Sequence, residues 1–228
     1  INKMHMDEIC ITYGQTEASP GCTMSKTTDS IEDRVNTVGG AMYGVECKIV
    51  DPETGEDLPD NTDGEFVARG YNIMKGYYKM PQATAAAIDK DGWLHTGDLA
   101  RRNEKGYYKI TGRIKDMIIR GGENIYPKEI EDFIYTNEKV SDVQVIGVPD
   151  KQYGEEIMAC VIKKDDSLTE EELHDYIAAN MAKHKVPRYI VFIDEFPMNA
   201  AGKILKYKMR ENAVELLGLQ DAENIVTA

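Results

Sequence analysis

A change of grammar along the chain constrains the fold most. Between Val45 and Gly112 the apolar runs stay short, and each is closed by turn residues. Val45–Asp51 and Gly64–Arg69 flank the turn signal Pro52-Glu53-Thr54-Gly55. Leu99–Arg102 and Tyr107–Gly112 flank Asn103-Glu104-Lys105-Gly106, a hairpin signal whose glycine can take positive φ. One helix, Pro81–Ile88, interrupts these strands and carries proline in its first turn. Short strands at this spacing predict a small barrel or sandwich. Upstream, residues 9–13 read as a short buried strand, and Gly14–Asp33 as a polar loop.

After Lys115 strands alternate with helices. Met117–Arg120, Val143–Val148, Ile157–Lys163 and Tyr189–Ile193 read as strands. Pro127–Tyr135, Leu168–Met181 and Leu205–Leu217 read as helices. The first has proline at its start and acids in its first turn. Ser167 or Thr169 can cap the second, each with Glu three residues on. The pattern predicts an α+β chain. A small β-barrel-like region ends a larger domain, and a compact α+β domain follows it. The boundary falls at about Arg113–Asp116, which gives domains 1–114 and 115–228.

Composition narrows the function. The chain has 228 residues, enough to bury a core without staples, and a net charge of −13. That charge argues against a surface built to grip nucleic acid or an anionic membrane. No apolar run reaches the roughly 18 residues of a spanning helix. The first residues lack a basic and then apolar leader, and the chain is expected to open inside a domain. Cys10, Cys22, Cys47 and Cys160 form no C-x-x-C pair, so neither a zinc site nor a disulfide framework is expected. Reduced thiols in the cytoplasm fit better.

The charge is uneven. Arg101 to Lys128 holds eight Lys/Arg against three acids, a local +5. On charge alone a solvated basic face is favoured over an anion site. Four segments tip the balance. In Tyr13-Gly14-Gln15-Thr16-Glu17 a hydroxyl and a carboxylate follow a strand, which suits phosphate and Mg²⁺, or simply a polar loop. In Trp93-Leu94-His95-Thr96-Gly97-Asp98 the final carboxylate can accept from a ribose diol, or serve as a turn residue. Gly112-Arg113-Ile114-Lys115-Asp116, followed by Arg120-Gly121-Gly122-Glu123-Asn124, offers a guanidinium fork and a close-approach turn, or one more hairpin. Asn199 to Lys206 puts Lys203 on a glycine turn before a helix, where it can present a point charge or merely be solvated. No Walker A, G-x-G-x-x-G, H-E-x-x-H or G-x-S-x-G pattern occurs.

Together, in this order, the segments resemble the adenylate-forming superfamily of acyl-CoA synthetases, acid ligases, luciferases and adenylation domains. The likeness covers almost the whole chain and includes Arg69 to Tyr78, similar to the family's linking segment. It implies an acid–CoA ligase that uses ATP, Mg²⁺ and CoA. Tyr13 would lie against adenine, Thr16 would contact the α-phosphate and Glu17 would hold Mg²⁺. Asp98 would bind the ribose hydroxyls with Arg113 in support, and Lys115 would be the hinge. Gly122, Glu123 and Asn124 would line the CoA tunnel. Lys203 would be the catalytic lysine of the adenylating state.

The physics of that assignment is coherent. Carboxylate attack on an α-phosphate brings anion to anion, and a placed ammonium stabilises the transition state more than the ground state. The family's Ser/Thr/Gly-rich phosphate loop is absent, so the chain resembles the last part of the large domain plus the small lid domain. Alone it is expected to be inactive in adenylation. Its partners would be a carboxylic acid, ATP, CoA and the missing N-terminal part of its own domain. Transfer to a carrier protein and a non-catalytic nucleotide-binding module are the alternatives. His95 is expected to support the ribose segment, His174 to be solvated, and Trp93 to anchor the barrel.

Overall fold

In the first part of the chain the strands are β1 (Thr12–Gly14), β2 (Gly21–Met24) and β3 (Gly40–Ala41), joined in that order as an antiparallel sheet. Helix α1 (Ile31–Asn36) lies between β2 and β3. Strands β4 (Val45–Val50), β5 (Asp63–Gly70), β6 (Leu94–Arg102) and β7 (Tyr108–Arg113) form an antiparallel meander, with α2 (Pro81–Ala87) between β5 and β6. The protein is seen in a computed structural model that describes residues 5–222. It divides into two units, Ile1–Lys115 and Asp116–Ala228.

The two sheets of the first unit share one core. Ile49, Phe66, Ala68, Leu94, Ala100 and Tyr108 come from the meander, and Ala18 and Cys22 from the smaller sheet's side. The Phe66 ring meets Tyr13 and Tyr108 edge-on, with centroids 5.0 and 5.1 Å away. The barrel-like region takes the form of an open sheet: β4 and β7 are its two ends, not a closing pair. Four strands are too few to enclose a filled barrel interior. Trp93 consequently anchors no barrel. It is half-buried, with Lys48 Nζ 4.6 Å and the Arg69 guanidinium 4.5 Å from its ring centroid.

Two readings upstream are corrected. Residues 14–33 are not one loop, because they include β2 and the start of α1. Several of their polar side chains bond to the backbone of neighbouring segments or cap a helix. Thr23 Oγ1 donates to Val38 O at 2.8 Å, Ser25 Oγ accepts from Ile11 N at 2.8 Å, and Ser30 caps α1 by accepting from Asp33 N. The strand expected at 9–13 is shifted to Thr12–Gly14 and is partly exposed.

The second unit is built on β8 (Ile118–Arg120), β9 (Glu123–Ile125), β10 (Val140–Asp150), β11 (Gly154–Lys163) and β12 (Tyr189–Phe192). The order is β10-β11-β8-β9, with β12 parallel to β11. The helices are α3 (Pro127–Ile134), α4 (Glu170–Ala178) and α5 (Lys206–Leu217). Alternation along β11 splits two cores. Ile157, Ala159 and Val161 pack with Ile130, Ile134, Leu173 and Ile177 of α3 and α4, whereas Met158 and Cys160 pack with Met209 and Ala213 of α5. Helices therefore cover both faces of the sheet. Thr169, rather than Ser167, caps α4, accepting from Glu172 N at 3.1 Å. His174 pairs with Asp175 at 3.7 Å on the exposed side. Glu131 and Lys206, both largely buried, meet at 2.7 Å over the outer edge of β10. There Val145 N donates to Glu131 and Val145 O accepts from Lys206. Among the described residues no helix is long and apolar enough to cross a membrane.

Candidate active site

The site in the first unit starts from a break in a ladder. On β6, Leu99 pairs with Glu65 and His95 with Val67, so Thr96, Gly97 and Asp98 bulge out opposite Phe66 alone. Gly97 takes φ +69°, a value that disfavours any side chain. Thr96 Oγ1 donates to Phe66 O at 2.6 Å and accepts from Asp98 N at 3.2 Å. Past the bulge, Asp98 lies opposite Arg113 of β7.

Three of the expected residues meet there. Tyr13 Oη donates to Asp98 Oδ2 at 2.8 Å, and Arg113 Nε is ion-paired with Asp98 Oδ1 at 2.9 Å. Asp98 is 5% exposed. Burial pushes the Tyr13 phenol up, and the neighbouring Asp98 charge adds to this, so it stays a protonated donor. Asp98, Thr96, Gly97, Gln15, Arg113 and Lys115 line a cleft of about 340 Å³. A buried carboxylate with two exposed cations on one wall suits a ligand carrying both hydroxyls and negative charge. No side-chain partner occupies Lys115 Nζ among the described residues.

Thr16 and Glu17 do not line this cleft. Thr16 is exposed at the start of a single 3₁₀ turn, Thr16–Ala18. Glu17 Oε1 accepts from Tyr77 Oη at 2.9 Å, and Glu17 O accepts from Met74 N at 2.8 Å. Asn72 Nδ2 donates to Ala18 O and Gly21 O at 3.1 and 2.7 Å. The segment Arg69 to Tyr78 thus fastens the turn that bears Glu17. Among the described residues no group of three or more His, Cys, Asp or Glu could hold a metal ion.

In the second unit, Gly121 and Gly122 take φ +60° and +85° at the β8–β9 turn, and Gly122, Glu123 and Asn124 are exposed. Arg120 braces this turn through a two-point pair with Glu156 at 2.8 Å, its guanidinium 4.6 Å from the Tyr153 ring centroid. Lys203 follows a tight turn in which Asn199 Oδ1 accepts from Ala201 N and Lys203 N, at 3.0 and 2.9 Å, and Gly202 takes φ +77°. Its side chain is exposed and has no partner among the described residues.

Sequence reasoning missed Glu65, and it named Asn72 and Tyr77 only as members of the Arg69 to Tyr78 segment. The only signal for Glu65 is its place directly before the apolar run Phe66-Val67-Ala68, near the start of a buried strand where a charge needs partners. Glu65 is buried, accepts from Gly97 N at 2.9 Å and shares a 2.7 Å hydrogen bond with His95 Nδ1.

The fold is that of the AMP-binding enzymes. Residues 2–78 match the AMP-binding enzyme family, and residues 129–203 match its C-terminal domain, so the chain belongs to that family. Asp98, Arg113, Lys115 and Gly122 lie between the two matched stretches. Among individual proteins, it is 51% identical over 98% of its length to YngI of Bacillus subtilis, whose name provisionally makes it an acyl-CoA synthetase, and covers 41% of that protein. It is 47% identical over 96% of its length to the mitochondrial medium-chain acyl-CoA ligase ACSF2 of Bos taurus, covering 36%. The ATP-bound crystal structure of MatB from Rhodopseudomonas palustris superimposes with a TM-score of 0.85 at 37% identity, over 91% of this chain and 41% of that one. The chain therefore spans about two-fifths of the length of such relatives.

Proposed function

We propose that the chain is part of an ATP-dependent carboxylic acid–CoA ligase. The reaction joins a fatty or related acid to CoA through an acyl-adenylate and releases AMP and pyrophosphate. The observation that carries this reading is the convergence of Tyr13 and Arg113 on the buried Asp98 at one cleft, in a chain of the AMP-binding family.

In this reading Asp98 accepts from the ribose hydroxyls, Arg113 supports ribose and phosphate, and Tyr13 sits against adenine. Thr16 contacts the α-phosphate. Glu17 holds Mg²⁺. The donor set fits, because one half-exposed carboxylate is enough for an ion that takes its other ligands from phosphate and water. The ion would neutralise charge on the departing pyrophosphate. Lys203 supplies the ammonium during adenylation, Lys115 is the hinge, and the turn at Gly122, Glu123 and Asn124 serves the CoA half-reaction. The four free cysteines support a reducing compartment, which we take to be the cytosol.

The test uses the full-length protein with acids of increasing length, scored for pyrophosphate release and for acyl transfer to free CoA or a holo-carrier. Acid-dependent release with acyl-CoA formed is the expected result. Release with transfer only to the carrier would move the acceptor to a carrier protein. AMP binding without release on any acid would leave a nucleotide-binding module and overturn the ligase.

A further inference from the structure

The bulge that carries Asp98 is held on one side by the β6–β7 ladder, where Asp98 pairs with Arg113, but on the β5 side the ladder is broken. On the β5 side three residues of β6 face one, and the regular pairing is interrupted. Thr96 Oγ1 accepts from Asp98 N at 3.2 Å, and Glu65 serves Gly97 between them. One Glu65 carboxylate oxygen accepts from Gly97 N at 2.9 Å, and the other meets His95 Nδ1 at 2.7 Å. His95 Nε2 lies 3.8 Å from Asp89 Oδ2. Glu65 is 6% exposed. A carboxylate that deep is costly unless it is engaged by donors on both oxygens. Gly97 immediately precedes Asp98, and its left-handed backbone sets the direction in which the Asp98 carboxylate leaves the strand.

We propose that Glu65, fixed by His95, is a positioning residue that aims the Asp98 carboxylate at the ribose diol of the bound nucleotide. The proposal rests on the ribose role given to Asp98 above. Glu65 touches no ligand itself. It acts by fixing the bulged residue, Gly97, that precedes Asp98 within β6.

The experiment measures binding of AMP and of 2′,3′-dideoxy-AMP to the full-length protein by titration calorimetry. The readout is the ratio of the two affinities, which a general loss of packing would not move because both ligands share the base and phosphate. The native ratio should favour AMP by on the order of tenfold or more, the value of a hydrogen bond to a charged group. Glu65→Leu should bring the ratio close to one while leaving dideoxy-AMP affinity within about twofold. Glu65→Gln should restore most of the preference, since its amide oxygen can still accept from Gly97 N–H. Asp98→Ala is the reference variant. If it abolishes the preference and Glu65→Leu does not change it, the positioning role is overturned and the ribose role stands. If Asp98→Ala leaves the preference intact, the ribose role itself fails and the proposal falls with it. Should Glu65→Leu not fold, His95→Ala decides: a reduced ratio supports the proposal and an unchanged one overturns it.

Discussion

Lys206→Met should destabilise the second unit far more than loss of a surface lysine would. Lys206 Nζ donates to Glu131 Oε1 at 2.7 Å and to Val145 O at 3.1 Å. Its side chain is 18% exposed, and Glu131 is 6% exposed. Removing the ammonium leaves a buried carboxylate whose remaining donor is Val145 N–H. Breaking a buried pair this way costs about 3–5 kcal/mol, and the partial exposure of the lysine places the effect near the lower figure. About 3 kcal/mol corresponds to roughly two decades in the folding equilibrium. The neutral pair Lys206→Met with Glu131→Gln should recover much of the loss, because the amide oxygen still accepts from Val145 N–H. Urea unfolding should be followed by hydrogen exchange of β10 and β11 amides. The single tryptophan, Trp93, lies in the other unit and does not report this transition. A shift below about 1 kcal/mol for Lys206→Met would class the pair with solvated surface bridges and refute the reasoning.

In the full-length protein, Lys203→Ala should slow adenylate formation by on the order of 10²–10³ while largely sparing CoA transfer from supplied acyl-adenylate. Pyrophosphate release and thioester formation measure the two steps, and equal losses would contradict the assignment. Lys115→Pro, which fixes φ near −65°, should separate the two half-reaction rates, and unchanged rates in both would remove the hinge. The Asp150 carboxyl is raised by burial. The N–H groups of Tyr153 and Gln152 and the charges of Arg188 and Arg120 outweigh this and hold it below its ordinary value. Its stabilisation is therefore complete above the unfolded value of about 3.9 and is lost as pH falls through the lower folded value. Asp150→Asn should flatten the acid limb of a stability–pH curve for the second unit. An unchanged limb would show that Asp150 is not its source.

Most of the second unit was legible because its elements advertise themselves. Proline opens α3, an exposed acidic turn opens α4, and β11 alternates between two cores. The meander was legible from its turns. The smaller sheet was not. β2 buries Thr23 beside Cys22, and a buried hydroxyl satisfied by a distant carbonyl looks like loop in one dimension. β3 and β9 are two and three residues long, below the length at which alternation carries information. At the site, motif order brought out Tyr13, Asp98 and Arg113, which meet. The bulge that presents Asp98 depends on register between β5 and β6, and no local spacing records register.

The lock between Glu131 and Lys206 also shields a border. β10 ends its sheet, and its outward N–H and C=O groups would otherwise invite a further strand from a neighbouring molecule. At Val145 both groups are already claimed by side chains from two helices. Solubility and helix docking are thus vested in the same two charges, and a chain that loses them becomes stickier as well as softer.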